Sequence, residues 1–175
     1  MMHLGIVGGG KLLRLYNNNV SFRLTVWMRL CCYFKSHLYL FPLFAYAKLR
    51  YSHLTYKTGI QIPYSTSIGK GFYIGHFGTI VINGNAIIGE NVNISPGVNI
   101  GQASRGKHKG TPIVGNRVYI GPGAKIIGNI TIGNNVCIGA NAVVTNDIPD
   151  NACVAGIPAT LISMKGAEGY IVNPV

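Results

Sequence analysis

Acidic side chains are scarce in this sequence, which has four Asp and Glu residues against fifteen Lys and Arg and a net charge of +11. Charged residues make up only 11% of the chain, whereas 48% of its residues are apolar. A disordered chain has the opposite composition, with high charge and few apolar residues. The sequence therefore predicts one folded domain, because 175 residues can bury a hydrophobic core without disulfide or metal staples.

Cysteine pairs with the spacing of a redox or zinc motif are also absent. The four cysteines include no CxxC pair, and the adjacent Cys31 and Cys32 are poorly arranged for a disulfide or a zinc site. We interpret all four as reduced thiols of a cytoplasmic protein. The N-terminus lacks the layout of a cleaved signal peptide. The 24 glycines have no three-residue period, which excludes collagen.

The N-terminal part of the chain lacks both acids and a long apolar run. Residues 1–58 hold eight Lys and Arg and no acid, and the longest uncharged stretch between Val20 and Leu54 is broken by Pro42. A membrane span needs about 20 apolar residues, so we predict two helices that break near this proline. They form a cap on the rest of the protein, or residues 11–58 contact an anionic membrane surface, or both. We expect no nucleic-acid partner.

What the chain does have is an apolar residue at every sixth position. The phased positions are Ile62, Ile68, Ile74, Ile82, Ile88, Ile94, Ile100, Val114, Ile120, Ile126, Ile132, Ile138 and Val144. A period of six fits neither an amphipathic helix nor a long strand. It is typical of short strands stacked as a parallel β-helix, with three hexapeptides in each coil and coils about 4.8 Å apart. We predict this all-β fold for residues 59–163, followed by a tail at 164–175.

Two insertions interrupt the six-residue count. Two extra residues follow Ile74 and carry His76, and eight extra residues follow Ile100 and carry His108. Breaks in a regular pattern are where function is expected. With both insertions looped out, the apolar positions form three columns. The turn with His76 then shares a column with three turns of small residues, at 95–97, 121–123 and 139–141.

The repeat resembles that of the hexapeptide-repeat acyltransferases, and residues 59–163 are similar to their serine acetyltransferase branch. The matching motifs are IGKGFYIGH at 68–76, VINGNAIIG at 81–89, GPGAKIIG at 121–128 and AGIPA at 155–159. The resemblance implies a left-handed coil, a homotrimer, acetyl-CoA as co-substrate and no metal. A groove of small residues suits the extended pantetheine arm of such a coenzyme.

The resemblance also implies roles for individual residues. The general base falls on His76, which would take the proton of the attacking hydroxyl. Gln61 falls on the residue that orients the base, and the amides of Gly101 and Gln102 on the donors to the oxyanion. Coenzyme A contacts are expected at Gly121, Pro122, Gly123, Lys125, Gly139, Ala140 and Lys165. Acceptor contacts are expected at Gly75, Arg105, His108 and Thr111.

The chain departs from serine acetyltransferases where they bind a zwitterion. The aspartate before their base maps to Gly75, the orienting aspartate to Gln61, and an Arg-His pair to Gly110 and Thr111. An uncompensated charge in a partly buried pocket is costly. We therefore expect a neutral saccharide hydroxyl as acceptor, lipid-linked or otherwise, as in the capsule and exopolysaccharide O-acetyltransferases that the chain resembles most. L-Serine is then a poor substrate, and serine O-acetylation is the alternative.

Other classes fit the residues less well. A γ-type carbonic anhydrase shares the coil but needs three histidines on zinc, and the repeat contains two. A non-catalytic solenoid would not need a histidine at an insertion. Among enzymes, an N-acetyltransferase for an amino-sugar nucleotide is a third option beside saccharide and serine O-acetylation. If His76 has no catalytic role, it is a solvated residue of a turn. If His108 has no binding role, it is part of a basic surface loop.

Overall fold

Helices occupy the N-terminal part of the structure, a computed structural model that describes residues 9–171. They are α1 (Gly9–Asn18), α2 (Val20–Lys35) and α3 (Phe41–Thr58), with a short 3-10 helix at Leu38–Leu40. The helices break before Pro42, which stands in the first turn of α3, where its missing N–H breaks no helical hydrogen bond. The predicted N-terminal segment before residue 9 and the predicted tail after residue 171 lie outside the described residues.

Fifteen short strands follow in the described part of the chain, arranged in three sheets. Sheet A contains β1 (Ile60–Gln61), β4 (Ile80–Ile82), β7 (Asn99–Gly101), β10 (Lys125–Ile127) and β13 (Val143–Val144). Sheet B contains β2 (Ser67–Ile68), β5 (Ile87–Ile88), β8 (Ile113–Val114) and β11 (Thr131–Ile132). Sheet C contains β3 (Tyr73–Ile74), β6 (Asn93–Ile94), β9 (Tyr119–Ile120), β12 (Cys137–Ile138), β14 (Cys153–Ala155) and β15 (Thr160–Ser163). Only β14 and β15 pair antiparallel among these strands.

The three predicted columns are confirmed by the strand register. In sheet C, Ile74, Ile94, Ile120 and Ile138 are aligned one above another. Sheets A and B align their phased residues in the same way. All thirteen phased side chains are at most 7% exposed, so they form the core of a left-handed parallel β-helix. Each coil stacks on the next through parallel ladder bonds, and the sheets need no partner element to bury this face.

The helices pack on the first coil, as the cap interpretation predicts. Arg29 donates to the carbonyl oxygens of Ile68 and Gly69, both at 2.6 Å, at the free edge of sheet B. The hydroxyl of Tyr51 donates to the carbonyl oxygen of Ile62. Leu24 of α2 is fully buried in the same core cluster as the coil isoleucines. An open strand edge is therefore covered by helices that also extend the core.

No helix in the range 9–171 combines the length and the apolar character that a membrane crossing requires.

Candidate active site

His76 lies in the turn between β3 and β4, at the corner that joins sheets C and A. Its side chain is exposed, and a cavity of about 400 Å³ opens beside it. Small-molecule sites typically have volumes of about 300–1,000 Å³. Gly75 and Phe77 line the cavity together with His76, so the first insertion forms one of its walls.

The other walls of this cavity come from the ends of the three helices. Asn18 is the last residue of α1, Asn19 is the N-cap of α2, and Lys57 and Thr58 end α3. Arg23, in the first turns of α2, also lines the cavity. Sequence reasoning missed all of these residues. The signal available was the basic character of residues 1–58, which we assigned to a cap or a membrane surface and not to the site of His76.

The cavity is electropositive. Arg23 and Lys57 contribute two cations to its lining, and none of the four acids of the chain is among the lining residues. The Nε atom of Arg23 has no solvent access, and no described residue accepts a hydrogen bond from it. A buried guanidinium nitrogen without an acceptor is unfavourable unless another group supplies one.

The column of small turns runs away from His76 along the same corner. Gly97 and Gly123 have positive φ angles of 76° and 74°, which glycine adopts without strain. A Cβ on Gly121 would lie 2.9 Å from the backbone nitrogen of Ala140, so only glycine permits this stacking distance.

Backbone amides in this column are used in coil stacking. The amide of Gly123 donates to the carbonyl of Pro96 at 2.9 Å, and that of Asn141 to Pro122 at 2.8 Å. The amides of Gly121 and Gly139 also donate to the next coil, both at 2.8 Å.

Lys125, predicted to contact coenzyme A, donates hydrogen bonds to the turns of this column. Its Nζ donates to the carbonyl oxygens of Gly97 and Gly123, at 2.7 and 2.8 Å. These two carbonyls belong to successive coils. Within one chain, the ammonium therefore ties two layers of the corner together.

The second insertion lies at a different corner, between sheets A and B. Ala103 and Gly110 exchange two backbone hydrogen bonds of 3.0 Å, and the carbonyl of His108 accepts from Asn129 at 2.8 Å. The hydroxyl of Thr111 donates to the carbonyl of Asn85 at 3.1 Å. The insertion is thus a hairpin anchored on the coils on both sides of it.

A single chain consequently brings together only some of the predicted site residues. Gly75 and His76 share the cavity. The residues that do not line it lie at the end of β7 or in the hairpin that follows, at the corner between sheets A and B: Gly101, Gln102, Arg105, His108 and Thr111. Lys165 follows β15 next to Gly166, which packs on Asn135 at the third corner. Within the described residues, no hydrogen bond links Gln61 to the imidazole of His76, so the orienting contact is not formed in one chain.

None of the four cysteines is among the residues that line the cavity. All four are free thiols, and burial raises the pKa of both Cys31 and Cys137 to about 11. A neutral buried thiol is a poor nucleophile. Between residues 9 and 171, no group of three or more His, Cys, Asp or Glu side chains is arranged to hold a metal ion.

The chain is similar to known proteins of one family. The model of the bacterial transferase hexapeptide family, with six repeats, matches residues 111–146. The serine acetyltransferase of Staphylococcus xylosus is 38% identical over 141 residues, which cover 81% of this chain and 64% of that protein.

Solved structures show the same similarity. A serine acetyltransferase from Brucella abortus strain S19 in complex with coenzyme A has a TM-score of 0.71 and 27% identity, and covers 87% of this chain. One from Neisseria gonorrhoeae in complex with serine has a TM-score of 0.66 and 27% identity, again over 87%. The chain spans 64% and 66% of these two proteins, less than two thirds of either. With its six-residue repeat aligned in three sheets and matched by these relatives, the chain has the repeat and the fold of the hexapeptide-repeat acyltransferases.

Proposed function

We propose that the protein transfers the acetyl group of acetyl-CoA to the hydroxyl of L-serine, forming O-acetyl-L-serine and coenzyme A. The acceptor rests on the relatives, which are named serine acetyltransferase at about 40% identity. These names contradict our expectation of a saccharide acceptor in capsule or exopolysaccharide synthesis, and no comparison points to such enzymes as nearest. The expectation that L-serine is a poor substrate is wrong on the same ground.

The saccharide expectation failed because it considered only the positions that match within the coil. At those positions the chain has Gly75, Gln61, Gly110 and Thr111, none of which carries a charge. The cavity at His76 obtains its charge from the helices instead, through Arg23 and Lys57. The missing charges of the coil are therefore no argument against a charged acceptor.

The ammonium of serine meets a different part of the same cavity. Asn18 ends α1 and Thr58 ends α3, and both line the cavity. The C-terminal end of a helix carries a partial negative charge of roughly half an elementary charge. The N-terminus of α2 offsets the end of α1, so the end of α3 and the side-chain oxygen of Asn18 are the groups in the lining that attract a cation.

The observation that carries the chemistry is the exposed imidazole of His76 at this cavity. A neutral imidazole accepts the hydroxyl proton as the serine oxygen attacks the thioester carbonyl. The C–S bond then breaks, and the departing thiolate of coenzyme A takes the proton back from the imidazolium. Direct transfer of this kind requires no nucleophilic side chain from the protein.

Donors to the tetrahedral oxyanion come from a second copy in this proposal, because Gly101 and Gln102 lie at the corner between sheets A and B and His76 lies at the corner between sheets C and A. We propose a homotrimer in which each site is completed by its neighbour. Ile87 and Ile113 support an interface on the coil, since they are adjacent in sheet B and 47% and 41% exposed.

Contact of residues 11–58 with a membrane surface stays a prediction, motivated by exposed aromatic residues such as Tyr39 and Phe41.

The test compares His76→Ala with His53→Ala, which removes an exposed histidine of α3 outside the cavity lining. The proteins are incubated with acetyl-CoA and L-serine, thiol release is followed, and O-acetylserine is identified by mass spectrometry. Loss of a general base typically lowers the rate by about 10²–10⁴-fold, so we expect that loss only in His76→Ala, with unchanged thermal unfolding. A wild-type protein that makes no O-acetylserine refutes the acceptor, and an active His76→Ala refutes the base.

A further inference from the structure

The cavity beside His76 contains cations that the coil motif does not supply. Arg23 comes from α2 and Lys57 from α3, and the positions that match the family's Arg-His pair are the uncharged Gly110 and Thr111. We infer that Arg23, assisted by Lys57 and the N-terminus of α2, binds the carboxylate of the acceptor beside His76. This inference rests on the proposed function, because it names the residues that hold the acceptor of that reaction.

Arg23 is placed for this role by its position in the cavity lining and its partial burial. Its Nε has no solvent access, and no described side chain or carbonyl accepts a hydrogen bond from it. A guanidinium presents a planar fork of N–H donors that matches the two oxygens of a carboxylate. Because Nε is closed to solvent, a carboxylate in the cavity would accept from the terminal nitrogens of this fork, which are not among the buried unpaired atoms of the described residues.

The first turn of α2 adds a second positive element. Val20 and Ser21 line the cavity, and their amides belong to the helix start, where backbone donors have no intrahelical acceptor. The side chain of Asn19 accepts from the amide of Phe22 at 2.9 Å and so caps only one of these donors. A carboxylate at this end of the 16-residue helix is favoured by the helix dipole.

The position of α2 is itself held by the coil. Arg29, six residues after Arg23, donates to the two carbonyl oxygens at the edge of sheet B. Met28 is 1% exposed in the core cluster, which seats the same helix on the first coil. Arg23 is thus presented to the cavity by a rigid element, and its replacement leaves these anchoring contacts in place.

Steady-state kinetics test the assignment with a matched control. Arg23→Gln removes the proposed cation, and Arg14→Gln removes an exposed arginine of α1 that does not line the cavity. A lost charge-assisted hydrogen bond predicts a KM for L-serine raised by about tenfold or more in Arg23→Gln, with the KM for acetyl-CoA unchanged. Arg23→Lys keeps the charge and is expected to be intermediate. Lys57→Gln raises the same KM by a smaller factor and serves if Arg23→Gln fails to fold.

Two further measurements distinguish a carboxylate-binding role of Arg23 from a purely structural role. L-Serinamide lacks the carboxylate, so wild type should prefer L-serine over it, and Arg23→Gln should lose most of that preference. Calorimetric titration with L-glycerate, which has the carboxylate and no ammonium, measures binding without turnover. If no O-acetylserine is formed but wild type binds L-glycerate at least about tenfold more tightly than Arg23→Gln, the acceptor proposal fails and the carboxylate site stands. Equal binding by both proteins, or an unchanged preference for L-serine in Arg23→Gln, overturns the inference.

Discussion

Lys125 tests how the column of small turns that runs away from His76 is stabilised. Its ammonium donates to Gly97 at 2.7 Å and Gly123 at 2.8 Å, two carbonyls on successive coils. Lys125→Met keeps the length and apolar character of the side chain and removes both bonds. Lys70→Met is a matched control, because Lys70 is 67% exposed and has a 3.8 Å ion pair with Glu90.

The structure predicts different costs for the two changes. Hydrogen bonds to charged groups contribute about 1.5–3 kcal/mol each, and water partly replaces the ammonium at this half-buried site. We expect Lys125→Met to lower the free energy of unfolding by about 2–3 kcal/mol, or the melting temperature by roughly 5–10 °C. An exposed ion pair contributes about 0–1 kcal/mol, so Lys70→Met should lower the melting temperature by less than about 4 °C.

Thermal and urea unfolding of wild type, Lys125→Met and Lys70→Met test whether Lys125 stabilises the coil. The KM for acetyl-CoA tests whether it binds the coenzyme. Equal stability of Lys125→Met and Lys70→Met would refute the reasoning that the ammonium ties the coils. A KM for acetyl-CoA that rises in Lys125→Met without a loss of stability would assign the ammonium to the coenzyme, as the sequence motif implied.

Two further predictions concern assembly and pH. Light scattering after size exclusion should show three copies of the chain at micromolar concentration, and a monomer there would contradict the shared site. Burial raises the pKa of Cys31 and Cys137 from 9.0 to about 11, so these thiols ionise in the unfolded chain first. Stability is therefore full below pH 9 and falls as the pH rises from 9 towards 11. Urea unfolding of wild type and of the double variant Cys31→Ala, Cys137→Ala should show a shallower decline in the variant.

The coil could be predicted residue by residue because its information is local. A hexapeptide forms one side of a coil, each coil contacts only its neighbours, and the aliphatic spacing records this arrangement directly. Removing the insertions after Ile74 and Ile100 therefore brought the columns into register without any long-range information. The handedness of the coil came from the family resemblance, since a six-residue period is the same for either hand.

The site at His76 depends on contacts that no periodicity records. Arg23 is 53 residues before His76 (76 minus 23) and lines the same cavity because α2 lies across the open end of the coil, anchored there by Arg29. In the sequence, Arg23 and Arg29 are two basic residues of one segment with nothing to distinguish them. Packing gives Arg29 the carbonyls of a strand edge and places Arg23 in the lining of the cavity that opens at His76. The sequence by itself determined the coil and its histidine, whereas tertiary packing decided which charges meet the acceptor, because the helices place side chains by the surface they cover and not by their spacing along the chain.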